Sequence, residues 1–93
     1  MTVIVMYDVD TGTKAGKKRL PRIADRCLDW GIRVQDSVYE CEVNAAQLRA
    51  MTAELSAMID PETDSLRFYD LGNHCEGRIT VFGKGSAERC FVL

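Results

Sequence analysis

Histidine is nearly missing from this chain: among 93 residues there is one, His74. A lone histidine argues against most His-based catalysis, and this one lies with Cys75 and Glu76 in a polar stretch where an ordinary loop role outweighs a metal-ligand one. Long hydrophobic runs are missing too. The longest, Val3 to Tyr7, is far short of the ~20 residues that a membrane span needs. The start shows no charged segment followed by an apolar stretch and a small-residue cleavage site, so a cytoplasmic protein with no membrane partner is expected. The four cysteines (Cys27, Cys41, Cys75, Cys90) have neither zinc-finger nor redox-motif spacing. In a reducing cytosol they stay thiols, and Cys27 and Cys41 are read as small buried hydrophobes. Asp10-Thr-Gly12-Thr-Lys14 lacks the spacing of a phosphate-binding glycine loop. No serine or cysteine nucleophile has a base nearby in sequence. Internal repeats and low-complexity segments are also absent.

What is present begins with Val3-Ile-Val-Met-Tyr7, apolar or aromatic throughout and closed by Asp8. Such a run suits a central strand covered on both faces, or strongly on one. Asp8 then stands where the strand leaves the core, with Asp10 two residues on. A carboxylate at the rim of a rigid strand is well placed to bind a cation. Beyond it, Lys14, Lys17, Lys18, Arg19, Arg22 and Arg26 face one acid, Asp25. Residues 14–26 therefore carry +5 in a chain whose net charge is −2. Phosphate responds to the local patch more than to the total, although a merely solvated helix face has the same composition. One or two carboxylates per chain are few for Mg²⁺, and a symmetric dimer would double them by placing two copies of Asp8 across its axis. The plainer alternative is an acid that caps the turn after the strand.

At 46% hydrophobic and 28% charged, the composition is that of one ordered domain. A domain this small buries roughly 60% of its unfolded surface, and spare apolar surface would favour an oligomer. Leu20, Ile23, Ala24, Cys27 and Leu28 follow the spacing of one buried helix face, with Arg19, Arg22, Arg26 and Asp29 opposite. Pro21 places the helix start either near Arg19 or at a kinked turn from Thr13. Residues 33–43 read as extended, as one bent strand or two with a break at Asp36-Ser37. Within them Tyr39, Cys41 and Val43 point inward and Glu40 and Glu42 outward. Asn44 and Gln47 form a capping box for a second helix lined by Leu48, Met51, Leu55, Met58 and Ile59 and ended by Asp60-Pro61. Strands follow at 65–71 and 78–82, and after Gly83 a tail ends in Cys90-Phe-Val-Leu93. The βαββαβ order predicts an α+β, ferredoxin-like sandwich over residues 1–83 with two helices on one sheet face. Residues 84–93 are expected to carry a short extra strand that pairs with a sheet edge.

Several stretches together resemble the small CRISPR-associated adaptation protein family, Cas2. They are Tyr7-Asp8-Val9, Arg22-Ile23-Ala24, Trp30-Gly-Ile-Arg-Val-Gln35, Ser37-Val-Tyr-Glu-Cys-Glu42, Ile59-Asp-Pro-Glu62 and Asp64-Ser-Leu-Arg-Phe-Tyr69. Leu71-Gly-Asn73 looks like the branch found with subtype I-C systems. The resemblance spans residues 1–83 and implies a homodimeric, metal-dependent endonuclease in which Asp8 faces its symmetry mate and binds Mg²⁺. Tyr7 and Tyr39 match supporting positions of the family motif, and Arg22 and Arg33 its arginines. With Arg19 and Arg26 they form the expected nucleic-acid contacts, to duplex DNA or single-stranded RNA. The family also implies a bridging role, in which the dimer holds DNA between copies of the CRISPR integrase subunit during spacer acquisition, with the last strand of each protomer added to the partner's sheet. A toxin-type ribonuclease of the virulence-associated D family shares the fold and the strand-one aspartate, but the match across residues 33–42 disfavours it. Tyr39, where many relatives have phenylalanine, is a mild departure from the family pattern, and Pro21 is a sharper one.

Overall fold

Alternation along the first strand decides which side of the molecule is filled. The computed structural model describes residues 1–83, and the expected tail strand lies outside them. Strand β1 (Thr2–Asp8) buries Val3, Val5 and Tyr7, while Ile4 is half-buried and Met6 and Asp8 are exposed. Because successive strand residues point to opposite faces, the run is covered on one face only. On that face it meets Ile23 and Cys27 of helix α1 (Lys14–Trp30), and Met51 and Leu55 of helix α2 (Ala45–Ser56).

Strands β2 (Ile32–Gln35), β3 (Val38–Glu42) and β4 (Ser65–Asp70) complete an antiparallel sheet in the order β2-β3-β1-β4. The expected α+β, ferredoxin-like architecture is therefore present. Residues 33–43 resolve into two strands broken at Asp36-Ser37. Tyr39 and Cys41 lie beside Val5 and Val3 and share their buried face. Glu42 is exposed as expected, but Glu40 is buried. Its register neighbours Ile4 and Ile32, one on each adjoining strand, screen it from water.

Helix α1 runs without a break through Pro21, capped by the Thr13 hydroxyl, which accepts from the Gly16 N–H. Pro21 is exposed, on the side away from Ile23 and Cys27, where water can take the place of the missing N–H. Burial of the opposite stripe carries the helix across the defect. In α2 the capping box is complete: the Asn44 side chain accepts from the Gln47 N–H, and the Gln47 side chain accepts from the Asn44 N–H. This helix stops at Ser56, a turn earlier than expected, yet Met58 and Ile59 still pack against the core.

After β4 the chain takes left-handed backbone at Gly72 (φ 75°) and His74 (φ 58°) and enters a short 3₁₀ turn, Glu76–Arg78. These bends carry it off the sheet. Residues 78–82, expected as a strand, pair with no strand among the described residues, and Phe82 is exposed.

Candidate functional site

Asp8 is the last residue of β1, exposed, with Ser65 of β4 as its register partner. Register partners share a face with their Cβ atoms about 5 Å apart, so Ser65 and Asp8 are neighbours on the uncovered side of the sheet. Met6 pairs with Arg67 and Ile4 with Tyr69 on that same face, where Arg67 donates to the Tyr69 hydroxyl at 3.2 Å. Ser65 and Arg67 were not singled out from sequence. The signal existed, since the inward alternation of Leu66 and Phe68 sends both of them to the face of Asp8.

The strand end is braced from behind. Arg33 donates through Nε and Nη2 to the Tyr39 hydroxyl at 2.9 and 2.7 Å, with its guanidinium 5.4 Å above the ring centroid. The Tyr39 and Tyr7 hydroxyls lie 3.3 Å apart, and Tyr7 donates to the Asp36 carbonyl at 3.4 Å. The Tyr7 N–H also donates to the Ser37 carbonyl. Burial, then the hydrogen bond shared with Tyr39, pushes the Tyr7 phenol well above its ordinary value, so it stays neutral. Tyr7 and Tyr39 thus tie the end of β1 to the β2–β3 turn on the covered face.

The loop after Asp8 is held with equal firmness. Asp64, whose side chain is 0% exposed, accepts from the Asp10 N–H at 2.9 Å, from the Asp60 N–H at 2.9 Å and from Arg19 Nε at 3.0 Å. Arg19 Nη2 and the Thr63 hydroxyl add bonds to the same carboxylate. Burial raises the Asp64 carboxyl, but the Asp60 N–H, the Arg19 guanidinium and the Asp10 N–H outweigh it and hold the group below the usual carboxylate range. Gly16 closes the other side of the loop, because a Cβ there would collide with the Asp10 carbonyl oxygen.

The expected arginines divide. Arg19 and Arg26 are not on the open side of α1: their side chains are 21% and 43% exposed and both are engaged in ion pairs. Arg26 grips both Glu54 oxygens, at 3.1 and 2.8 Å, and Asp29 at 2.8 Å, while Trp30 donates to Glu54. Arg22 is exposed, as are Lys14, Lys17 and Lys18, and none of these four has an ion-pair partner among the described residues. Lys14, Lys18 and Arg22 follow at i, i+4 and i+8, a stripe about 12 Å long. It occupies the first half of the helix, whose N-terminal dipole repels cations. No acid in the first turn relieves that conflict, whereas a bound phosphate would.

Cys27 and Cys41 are buried thiols, as expected, and burial pushes them up to about 12 and about 11. They are unreactive packing groups. Among the described residues, no group of three or more His, Cys, Asp or Glu side chains converges on a possible metal position. No helix of the described residues is long and apolar enough to cross a membrane.

Comparison with known proteins agrees with this geometry. The family model described as CRISPR associated protein Cas2 matches residues 1–79. The chain is 51% identical over 79 residues to "CRISPR-associated endoribonuclease Cas2" of Chlorobaculum tepidum, covering 85% of this chain and 82% of that one. It is 45% identical over 83 residues to "CRISPR-associated endonuclease Cas2" of Halalkalibacterium halodurans, covering 89% and 86%. In structure it is similar to Streptococcus pyogenes Cas2, with a TM-score of 0.76 and 47% identity over 89% of this chain and 100% of that one. On the family match, the shared fold and identities near one half, the chain belongs to the Cas2 family of CRISPR-associated proteins.

Proposed function

We propose that this chain forms a homodimer through its uncovered sheet face and acts as a metal-dependent endonuclease on phosphodiester bonds of RNA or DNA, in the cytoplasm, during CRISPR spacer acquisition. The observation that supports it most is Asp8. It is an exposed carboxylate at the end of a strand bonded on both sides, on the face left open, in a chain whose relatives are named endonuclease and endoribonuclease. Met6 at 37% exposure, with Ile32 and Tyr69, gives that face the apolar surface a partner copy would cover.

The donor set fits a hard divalent cation. Asp8 offers carboxylate oxygens, and a copy across a two-fold axis would offer the same. When bound there, Mg²⁺ supplies an activated water and offsets charge on the phosphate. Lys14, Lys17, Lys18 and Arg22 hold the phosphate backbone, Arg33 adds charge from the β2 edge, and Arg19 and Arg26 contribute to the field from within their ion pairs. Tyr7 and Tyr39 keep the strand end in place. Leu71-Gly-Asn73 supports the subtype I-C branch.

Substituting Asp8→Asn should lower Mg²⁺-dependent cleavage by about 100-fold or more, beyond the 10–100-fold typical of losing an outer partner of a metal site. Chelation of the parent should do the same. Undiminished cleavage by the purified variant would overturn the catalytic assignment.

A second reading has its own observation: four cations held against the helix dipole serve phosphate binding whether or not Asp8 cleaves. In it the dimer is a DNA-holding bridge between copies of the integrase subunit. Duplex binding and integrase capture that are intact in Asp8→Asn, with cleavage no greater than in metal-free controls for both proteins, would favour it.

A further inference from the structure

We infer that Asp64 is a positioning residue for the Asp8 site, and that Arg19 serves it as half of a clamp rather than as a contact to nucleic acid. The inference rests on reading Asp8 as a metal-binding carboxylate. Three parts of the chain meet at the two oxygens of Asp64. Oδ1 takes the N–H of Asp10, two residues after Asp8; Oδ2 takes the N–H of Asp60; and the Arg19 fork spans both oxygens. The next residue along, Ser65, is the register partner of Asp8. One buried side chain therefore sets the exit of β1, the entry of β4 and the seat of α1.

The consequence is geometric. Arg19 lies between Lys18 and Arg22 in sequence, so fixing it fixes the cation stripe relative to Asp8. Gly16 presses the same loop from the other side. A carboxylate that must share a cation with phosphate oxygens depends on this separation, because a misplacement of about 1 Å can cost on the order of 100-fold in rate. Both forked donors of Arg19 already point at Asp64, which leaves it poorly placed to take a bidentate phosphate.

The test uses the full chain with Mn²⁺ alone as probe, its binding followed by electron paramagnetic resonance, and duplex binding measured across salt. Asp8→Asn should abolish Mn²⁺ binding. Asp64→Asn and Arg19→Gln should weaken it by about 10–100-fold while the salt slope of duplex binding stays that of the parent. Arg19→Lys, which keeps a charge for Asp64, should recover part of the affinity. Should Asp64→Asn fail to fold, the two Arg19 variants carry the test. Mn²⁺ binding equal to the parent's in Arg19→Gln, with Asp8→Asn inactive in binding, would overturn the clamp and leave the metal reading standing. A salt slope shallower by about one unit in Arg19→Gln would make Arg19 a phosphate contact and overturn it equally. Unchanged Mn²⁺ binding in Asp8→Asn would remove the metal reading, and the clamp with it.

Discussion

The two faces of the sheet are built from alternate residues of the same strands, yet they obey different constraints. On the covered face Val3, Val5, Tyr39 and Cys41 are closed to water and meet the helices, so each is judged by fit. On the open face Asp8, Ser65, Arg67 and Tyr69 share the surface with Met6 and Ile4, a mixture too polar for a core and too apolar for plain solvent. On the proposed reading, a single strand separates stability from function at each step of its period. Change on one face should be felt in folding, and change on the other in association and chemistry.

The largest effect is expected on the covered side. Tyr39→Ala removes a fully buried ring and leaves Arg33 and Tyr7 without their shared partner. By analogy with buried aromatic truncations it should lower unfolding free energy by about 4 kcal/mol, read by urea denaturation. A loss below about 1 kcal/mol would mean that the ring is not the keystone of that face.

On the open side, Met6→Asp should leave the protomer folded and raise the dimer dissociation constant by at least about tenfold, because it would place an unpaired charge in the proposed interface. Sedimentation equilibrium decides. An unchanged dimer would move the association to another surface.

A smaller and purely electrostatic effect is expected on α1. Lys18→Glu with Arg22→Glu should flatten the log–log salt dependence of duplex binding by nearly two units, with little change in melting temperature. Arg26→Gln should instead show its effect in stability, because its partners are Glu54 and Asp29. Interchanged results would reverse the division between the two halves of the helix.

The last effect is a pH dependence that is flat at neutral pH. Asp64 is held below the usual carboxylate range in the folded chain, so it binds a proton more readily when unfolded. Its contribution is fully present above the unfolded pKa of about 3.9 and is lost as pH falls from there towards the folded value. Acid unfolding of the parent should therefore steepen below about pH 4, and Asp64→Asn should lack that component.

Local order settled much of this protein in advance. The apolar run ending at Asp8, the stripe of Leu20, Ile23, Ala24 and Cys27 (though not Leu28, which was expected on it and is 50% exposed) and the capping box of Asn44 and Gln47 each depend on residues within one turn or one pleat. They are legible because their physics is short-ranged. The exposure of Asp8 and the burial of Cys27 and Cys41 followed from the same periods. Tertiary structure decided the rest. Arg19, Arg22 and Arg26 look alike along the chain, but Arg19 meets a carboxylate 45 residues away and Arg26 one 28 residues away, while Arg22 meets none among the described residues. Glu40 is buried because Ile4 and Ile32 come from other strands to cover it. Helix α1 survives Pro21 because the face opposite is packed. The period of a sequence says which residues share a face; only packing says what that face meets, since the partners arrive from far along the chain.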